Sequence, residues 1–144
     1  MRKINKIIVH CSATPEFIDF DVNDIRDWHV NGNGWSDVGY HYVIKLDGEI
    51  EPGRLEKTIG AHVKGVNRNS IGVCYIGGMD KGMDNWIDTR NKPQKESLIK
   101  LLSELKCKYP DSIIYGHKDF TKKKLCPSFD AKKEYENISN GNRE

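Results

Sequence analysis

Short apolar runs and one longer apolar stripe divide the chain into predicted strands and helices. Runs rich in β-branched and aromatic residues predict strands at 7–9, 39–45, 70–77 and 112–115. The Asp47-Gly48 turn predicts a hairpin whose second strand is 49–51. Because predicted strands and helices are interspersed, we expect an α/β fold with a single mixed β-sheet flanked by α-helices.

Three segments have the spacing of amphipathic helices. The first follows Asp21, a good N-cap, and ends at the glycines near residue 34. The second has leucines three and four residues apart, begins near Pro93 and ends before Pro110. The third is 129–138, after which we expect the tail, 139–144, to be frayed. Residues 78–92 are rich in Gly, Asp and Asn, which predicts a long surface loop of the kind that shapes a binding cleft.

The length and composition are those of one ordinary domain. The chain has 144 residues, 31% of them charged, with a net charge of +2, and it shows no internal repeat or linker, so we predict a single domain over 1–144. The basic run Lys122 to Lys124 is short and has no aromatic residues to stack bases, so we expect no nucleic-acid partner.

Cysteine spacing and hydropathy bear on disulfide bonds, membrane insertion and the place of synthesis. The four cysteines form no CxxC pair, so we expect no disulfide framework and read Cys11, Cys74 and Cys107 as small buried apolar residues. No apolar stretch is long enough to span a bilayer, and the polar start is unlike a signal peptide. We therefore expect synthesis in the cytoplasm and no stable membrane insertion.

Two histidines and a cysteine are candidates for a metal site. His10 and His117 each follow a predicted strand, at the edge of an α/β sheet where ligand crevices form. Cys126 lies in a loop nine residues after His117. Two histidines and one cysteine can hold zinc and leave a fourth position for water. A histidine at the end of a strand is more often hydrogen-bonded or on the surface, so spacing alone leaves both interpretations open.

The chain resembles the phage-lysozyme type of N-acetylmuramoyl-L-alanine amidase, a relative of the peptidoglycan recognition proteins. The resemblance spans Ile7 to Phe129 and is carried by six blocks in order: Ile8–Thr14, Trp35–Tyr42, Gly60–His62, Asn69–Cys74, Gly116–His117 and Lys124–Asp130.

The resemblance implies an amidase fold and a set of roles at the site. His10, His117 and Cys126 match the family's zinc ligands, and Tyr40 and Lys124 match its catalytic tyrosine and lysine. The implied reaction is zinc-dependent hydrolysis of the amide bond between N-acetylmuramic acid and L-alanine in peptidoglycan. We expect a monomer that acts on the cell wall as a phage or prophage lysin released at lysis.

Other residues near these blocks have open roles. His62 is a candidate for substrate binding, although a hydrogen-bonded loop histidine is an equal alternative. Strand alternation predicts that Tyr42 shares the cleft side with Tyr40 and that His41 is structural. Asn67, Arg68 and Arg90 are candidates for distinguishing lysine from diaminopimelate in the stem peptide.

Other functions are compatible with the same residues. One is a non-catalytic peptidoglycan-binding module, but it would be expected to lack a ligand such as Cys126. A cytosolic amidase that recycles muropeptides would match the same blocks. A protein that acts through another protein, as a phage relative does on RNA polymerase, is an analogy that no residue tests. A plain α/β domain with a structural zinc would need a fourth protein ligand.

Overall fold

The computed structural model describes residues 2–141. Its strands, in chain order, are β1 (Lys6–Cys11), β2 (Thr14–Pro15), β3 (Tyr42–Ile44), β4 (Ile50–Pro52), β5 (Ser70–Tyr75), β6 (Gly78–Met79) and β7 (Ile113–Gly116). Five of them form one sheet in the order β4-β3-β5-β1-β7, and β2 pairs with β6 in a small second sheet. The β3–β4 pair is antiparallel and the other pairs are parallel. The predicted mixed sheet and the hairpin are therefore confirmed.

The helices are α1 (Val22–Asp27), α2 (Lys92–Lys108), α3 (Ala131–Glu134) and α4 (Glu136–Ser139). Asp21 caps α1 as predicted, because its side chain accepts a hydrogen bond from the Asp24 backbone N–H. The helix continues into a π-helical turn, Trp28–Gly32. Asn91 caps α2 in the same way, and Pro93 lies in the first turn of that helix.

The last predicted helix is broken in two. Tyr135 separates α3 from α4 and has φ −104° and ψ 19°, outside the helical range. Its ring is buried, and its hydroxyl accepts a hydrogen bond from Arg90, so tertiary contacts outweigh the local helical preference. The predicted frayed tail begins too early at residue 139, because Ser139 is buried in α4 and its hydroxyl accepts from the Ile114 N–H. Residues 142–144 of that tail lie outside the described part of the chain.

The main core lies between the sheet and α2, α3 and α4. It contains Ile7, Val9, Ile71, Val73 and Ile114 from the neighbouring strands β1, β5 and β7, and four leucines of α2 pack in the same cluster. These leucines are the stripe from which the helix was predicted. Within residues 2–141, no helix combines the length and apolar character needed to cross a membrane.

Candidate metal centre and active site

The carboxyl ends of the parallel strands β1 and β7 bring the two predicted histidines together. His10 lies inside β1, which ends at Cys11 and not at residue 9 as predicted, and it pairs with Cys74 on β5. His117 begins the 3-10 turn that directly follows β7. Val9 pairs with Gly116 across the sheet, so the next residue on each strand is a histidine, and the two rings lie 4.7 Å apart between centroids.

A tightly held loop adds Cys126 to this pair. The Lys118 backbone N–H donates to the Cys126 carbonyl at 2.7 Å, and the Tyr75 hydroxyl donates to the Pro127 carbonyl at 2.6 Å. A side chain at Gly116 would have its Cβ only 2.8 Å from Pro127 Cδ. Glycine at the end of β7 therefore lets the proline, and with it Cys126, pack against the strand.

The donor atoms of His10, His117 and Cys126 form one compact group. The three ligand atoms lie within 4.8 Å of one another, and Cys126 Sγ is 4.0 Å from His10 Nδ1. Tetrahedral zinc would hold two nitrogen donors and one sulfur donor about 3.3 to 3.6 Å apart. A small inward movement of the donors would suit this geometry. The residue types, the separations and the number of donors therefore fit a zinc site with one position left for water or substrate.

The surroundings favour the metal-binding form of both histidines. Burial lowers the pKa of His10 well below its usual value, and the nearby imidazoles and Lys124 lower it further. Burial and Lys124 also lower the pKa of His117. Burial raises the pKa of the Cys126 thiol, while the Cys11 backbone N–H, 3.1 Å from Cys126 Sγ, is placed to stabilise a thiolate. Neutral imidazoles and a thiolate are the forms that bind zinc.

A cavity of about 220 Å³, called the cleft below, opens at this centre. Its lining includes Tyr40, His62, His117, Lys124 and Cys126. The Tyr40 ring is 5.0 Å from the His10 ring, and burial raises the pKa of the Tyr40 phenol, which stays protonated. Lys124 is exposed. Tyr40, Lys124, His117, Cys126 and His62 thus all line the cleft, and His10 contacts His62 and Cys126.

His62 is held by hydrogen bonds at three points. Its Nδ1 is 2.8 Å from His10 Nε2, its Nε2 is 3.2 Å from Ser70 Oγ, and its backbone N–H donates to Asn67 Oδ1 at 2.9 Å. Burial lowers the pKa of His62 to about 3. Its contact with His10 could not be predicted from the sequence, since 52 residues separate the two.

The structure adds cleft residues that the sequence did not indicate. Trp35 and Trp86 both line the cleft, as does His29, whose Nδ1 accepts from the Gly39 N–H at 2.8 Å. Trp35 lies within a block that carries the family resemblance, which was the available signal. Trp86 belongs to the predicted 78–92 loop, so the prediction that this loop shapes a cleft is confirmed. The loop is shorter than predicted, because Gly78 and Met79 form β6 and Lys92 begins α2.

The prediction that Tyr42 shares the cleft side with Tyr40 is wrong. Tyr40 precedes β3 and does not follow the regular pleat of that strand. The Tyr42 hydroxyl instead donates to Glu56 in a separate cavity. His41 does have a structural role, because it is buried and its Nδ1 accepts from the Gly72 N–H at 3.0 Å. A neutral His41 then carries its proton on Nε2, which donates to the Thr58 carbonyl at 2.8 Å.

The separate cavity is larger, about 540 Å³, but its polar groups bind one another. Glu56 accepts hydrogen bonds from Tyr42, Tyr109 and Lys108. Within residues 2–141, the group of side chains that could hold a metal ion, His10, His117 and Cys126, lies at the cleft and not in this larger cavity.

Two further sequence predictions are corrected. Cys107 is exposed, whereas Cys11, Cys74 and Cys126 are buried. Arg90 does not face the cleft: it is buried and pairs with Asp88 and Glu134, so it is not available to contact a stem peptide.

Comparisons with known proteins identify the family of this chain. The family profile described as N-acetylmuramoyl-L-alanine amidase matches residues 1–129. The endolysin of Enterobacteria phage T3 is 48% identical over 132 residues, covering 90% of this chain and 84% of the phage protein. The endolysin of Escherichia phage T7 is 47% identical with the same coverage.

Solved structures with the same fold include an amidase and a recognition protein. The N-acetylmuramoyl-L-alanine amidase LysC of Clostridium intestinale superposes with a TM-score of 0.80 at 27% identity, over 99% of this chain and 88% of that one. Drosophila PGRP-LB superposes with a TM-score of 0.77 at 25% identity, over 94% and 81%. With the profile match and the phage relatives, these similarities show that the chain belongs to the N-acetylmuramoyl-L-alanine amidase family and is an enzyme of that activity.

Proposed function

We propose that this amidase depends on zinc held by His10, His117 and Cys126, and that it cuts the bond between N-acetylmuramic acid and L-alanine in peptidoglycan. The observation that carries the proposal is the compact group of two imidazoles and one thiol at the floor of the cleft. When bound, zinc supplies a Lewis acid that polarises a carbonyl and lowers the pKa of a water molecule to about 7.

The chain's own residues stabilise the charge that develops during hydrolysis, in which the C–N bond breaks and a proton from the attacking water ends on the leaving L-alanine amine. Attack on the amide builds negative charge on the carbonyl oxygen, and the Lys124 ammonium at the cleft wall stabilises that charge. Tyr40 keeps its proton because burial raises its pKa, so its hydroxyl donates a hydrogen bond to the attacking or developing oxygen. Trp35 and Trp86 provide apolar walls that limit water around the scissile bond.

The phage relatives suggest where the enzyme acts. Two phage proteins named endolysins cover most of this chain at nearly half identity. We infer that this protein is likewise a lysin, made in the cytoplasm and active on the wall once it is released. A recycling amidase would instead act on soluble muropeptides inside the cell.

The first experiment is digestion of purified peptidoglycan by zinc-loaded protein, with mass spectrometry of the released fragments. We expect stem peptides with a new L-alanine amino terminus, loss of cleavage with a chelator, and recovery when zinc is added back. Binding to the wall without cleavage would indicate that the protein acts as a recognition module. Cleavage that survives complete removal of metal would overturn the zinc proposal. Activity on soluble muropeptides but not on intact wall would favour recycling.

The Cys126→Ser variant tests the ligand set. A serine hydroxyl is a much poorer zinc ligand than a thiolate, so we expect loss of bound zinc and of hydrolysis together. The exposed Cys107 provides the matched control: Cys107→Ser should keep both. If Cys126→Ser binds zinc at full stoichiometry and has wild-type activity, Cys126 is not a zinc ligand.

A further inference from the structure

The two ring nitrogens of His10 face different partners. Nδ1 lies 4.0 Å from Cys126 Sγ, on the side of the proposed zinc. Nε2 lies 2.8 Å from His62 Nδ1. A neutral imidazole has one N–H and one lone pair. If Nδ1 gives its lone pair to a metal, the proton must be on Nε2, where it can only donate towards His62.

Hydrogen bonds and packing hold His62 in the orientation that accepts this hydrogen bond from His10. With Nδ1 as the acceptor, its own proton is on Nε2 and donates to Ser70 Oγ at 3.2 Å. A Cβ at Gly72 would come within 2.7 Å of the His62 ring, so only glycine in β5 leaves room for it. The backbone of His62 is held in turn by Asn67.

We propose that His62 is a positioning residue: the chain His10–His62–Ser70 sets the tautomer and ring orientation in which His10 presents Nδ1 to the metal. This inference rests on the proposed zinc site. It assigns His62 to the metal centre and not to the substrate, because both of its ring nitrogens are engaged inside the protein. Hydrogen-bond partners of this kind, one step out from the metal, typically change metal affinity about 10- to 100-fold.

The test measures zinc affinity directly, without relying on turnover. Metal-free wild type and variants are titrated with zinc against a chromogenic chelator of known affinity. His62→Phe keeps a ring and removes the acceptor, and we expect about 10- to 100-fold weaker binding. His62→Asn can offer an oxygen near the position of Nδ1, and we expect it to recover part of the loss. Ser70→Ala removes only the hydrogen bond to His62 Nε2, and it should weaken zinc binding to a smaller extent.

His29→Phe is the matched control, because His29 lines the same cleft but has no hydrogen bond to His10. We expect its zinc affinity to equal that of the wild type. If circular dichroism shows that His62→Phe does not fold, the His62→Asn and Ser70→Ala affinities decide the question.

The outcomes separate this inference from the proposed function. If the wild type binds zinc and all His62 and Ser70 variants bind it with the same affinity, the positioning role alone is overturned. A raised KM for peptidoglycan in zinc-saturated His62→Asn, with unchanged zinc affinity, would show that His62 contacts substrate instead. Wild type that binds no zinc would overturn both proposals.

Discussion

Lys124 acts on its neighbours through charge. Its ammonium lowers the pKa of both His10 and His117, adding to the larger effect of burial. At neutral pH the two imidazoles therefore have little tendency to bind protons in place of a metal. The same positive charge opposes a bound cation but favours a developing oxyanion. Lys124 is thus expected to contribute to the rate and not to metal retention.

The Lys124→Ala variant separates these two effects. We expect zinc content to stay at the wild-type level and turnover to fall about 100-fold or more, the usual cost of losing one group that stabilises an oxyanion. Stoichiometric metal analysis and steady-state peptidoglycan hydrolysis measure the two quantities. Lys123→Ala, a change at the exposed neighbour that does not line the cleft, is the control and should leave both unaltered. An unchanged rate in Lys124→Ala would exclude it from the mechanism.

At the scale of elements, Arg90 ties the 78–92 loop to the C-terminal helices. Its guanidinium donates to Asp88, to Glu134 of α3 and to the Tyr135 hydroxyl. It also lies 3.3 Å from the centre of the Phe129 ring. Trp86, a wall of the cleft, belongs to the loop that this cluster fixes. The order of the loop therefore depends on contacts with a segment more than 40 residues away.

The Arg90→Leu variant removes the cation with which the Asp88 and Glu134 carboxylates pair. We expect the free energy of unfolding to fall by about 2 to 3 kcal/mol, below the cost at a fully buried pair, because Asp88 and Glu134 are partly exposed. Urea denaturation measures the change. Arg68→Ala, at an exposed arginine, should stay within about 0.5 kcal/mol of the wild type. Equal stability of Arg90→Leu and Arg68→Ala would contradict the stabilising role of Arg90.

At the scale of the whole molecule, the histidines make stability depend on pH. The chain has five histidines, and burial is the first cause of a lowered pKa in every one. Their unfolded pKa is about 6.5, so below that pH the unfolded chain binds more protons than the folded chain. The stability that they contribute is complete above pH 6.5 and is lost as pH falls towards the lower folded values.

His41 offers a single-residue test, because it is buried and is not in the metal centre. Its pKa is lowered to about 4. Metal-free wild type should therefore lose about 2 to 3 kcal/mol more stability than His41→Asn between pH 7 and pH 4.5. Urea denaturation of both proteins at the two pH values measures the difference. Parallel losses in the two proteins would show that His41 is protonated in the folded state as readily as in the unfolded one.

The sequence was informative where local rules operate. The hairpin at Asp47-Gly48, the leucine stripe of α2 and the cap at Asp21 depend on neighbours within a few residues, and these elements form where they were predicted. The last helix was misjudged because Tyr135 leaves helical geometry to reach Arg90. Tyr42 was misplaced because the chain before β3 does not follow the strand pleat.

The sequence by itself determined the chemistry that is available: two strand-end histidines, a loop cysteine, a tyrosine and a lysine, in blocks that resemble one amidase family. The tertiary structure alone decided how these groups meet. Parallel β1 and β7 bring His10 beside His117, packing at Gly116 positions Cys126, and His62 reaches His10 across the fold. Local patterns carry no information on such contacts, because the strands and loops that make them are far apart along the chain and are joined only by packing of the core.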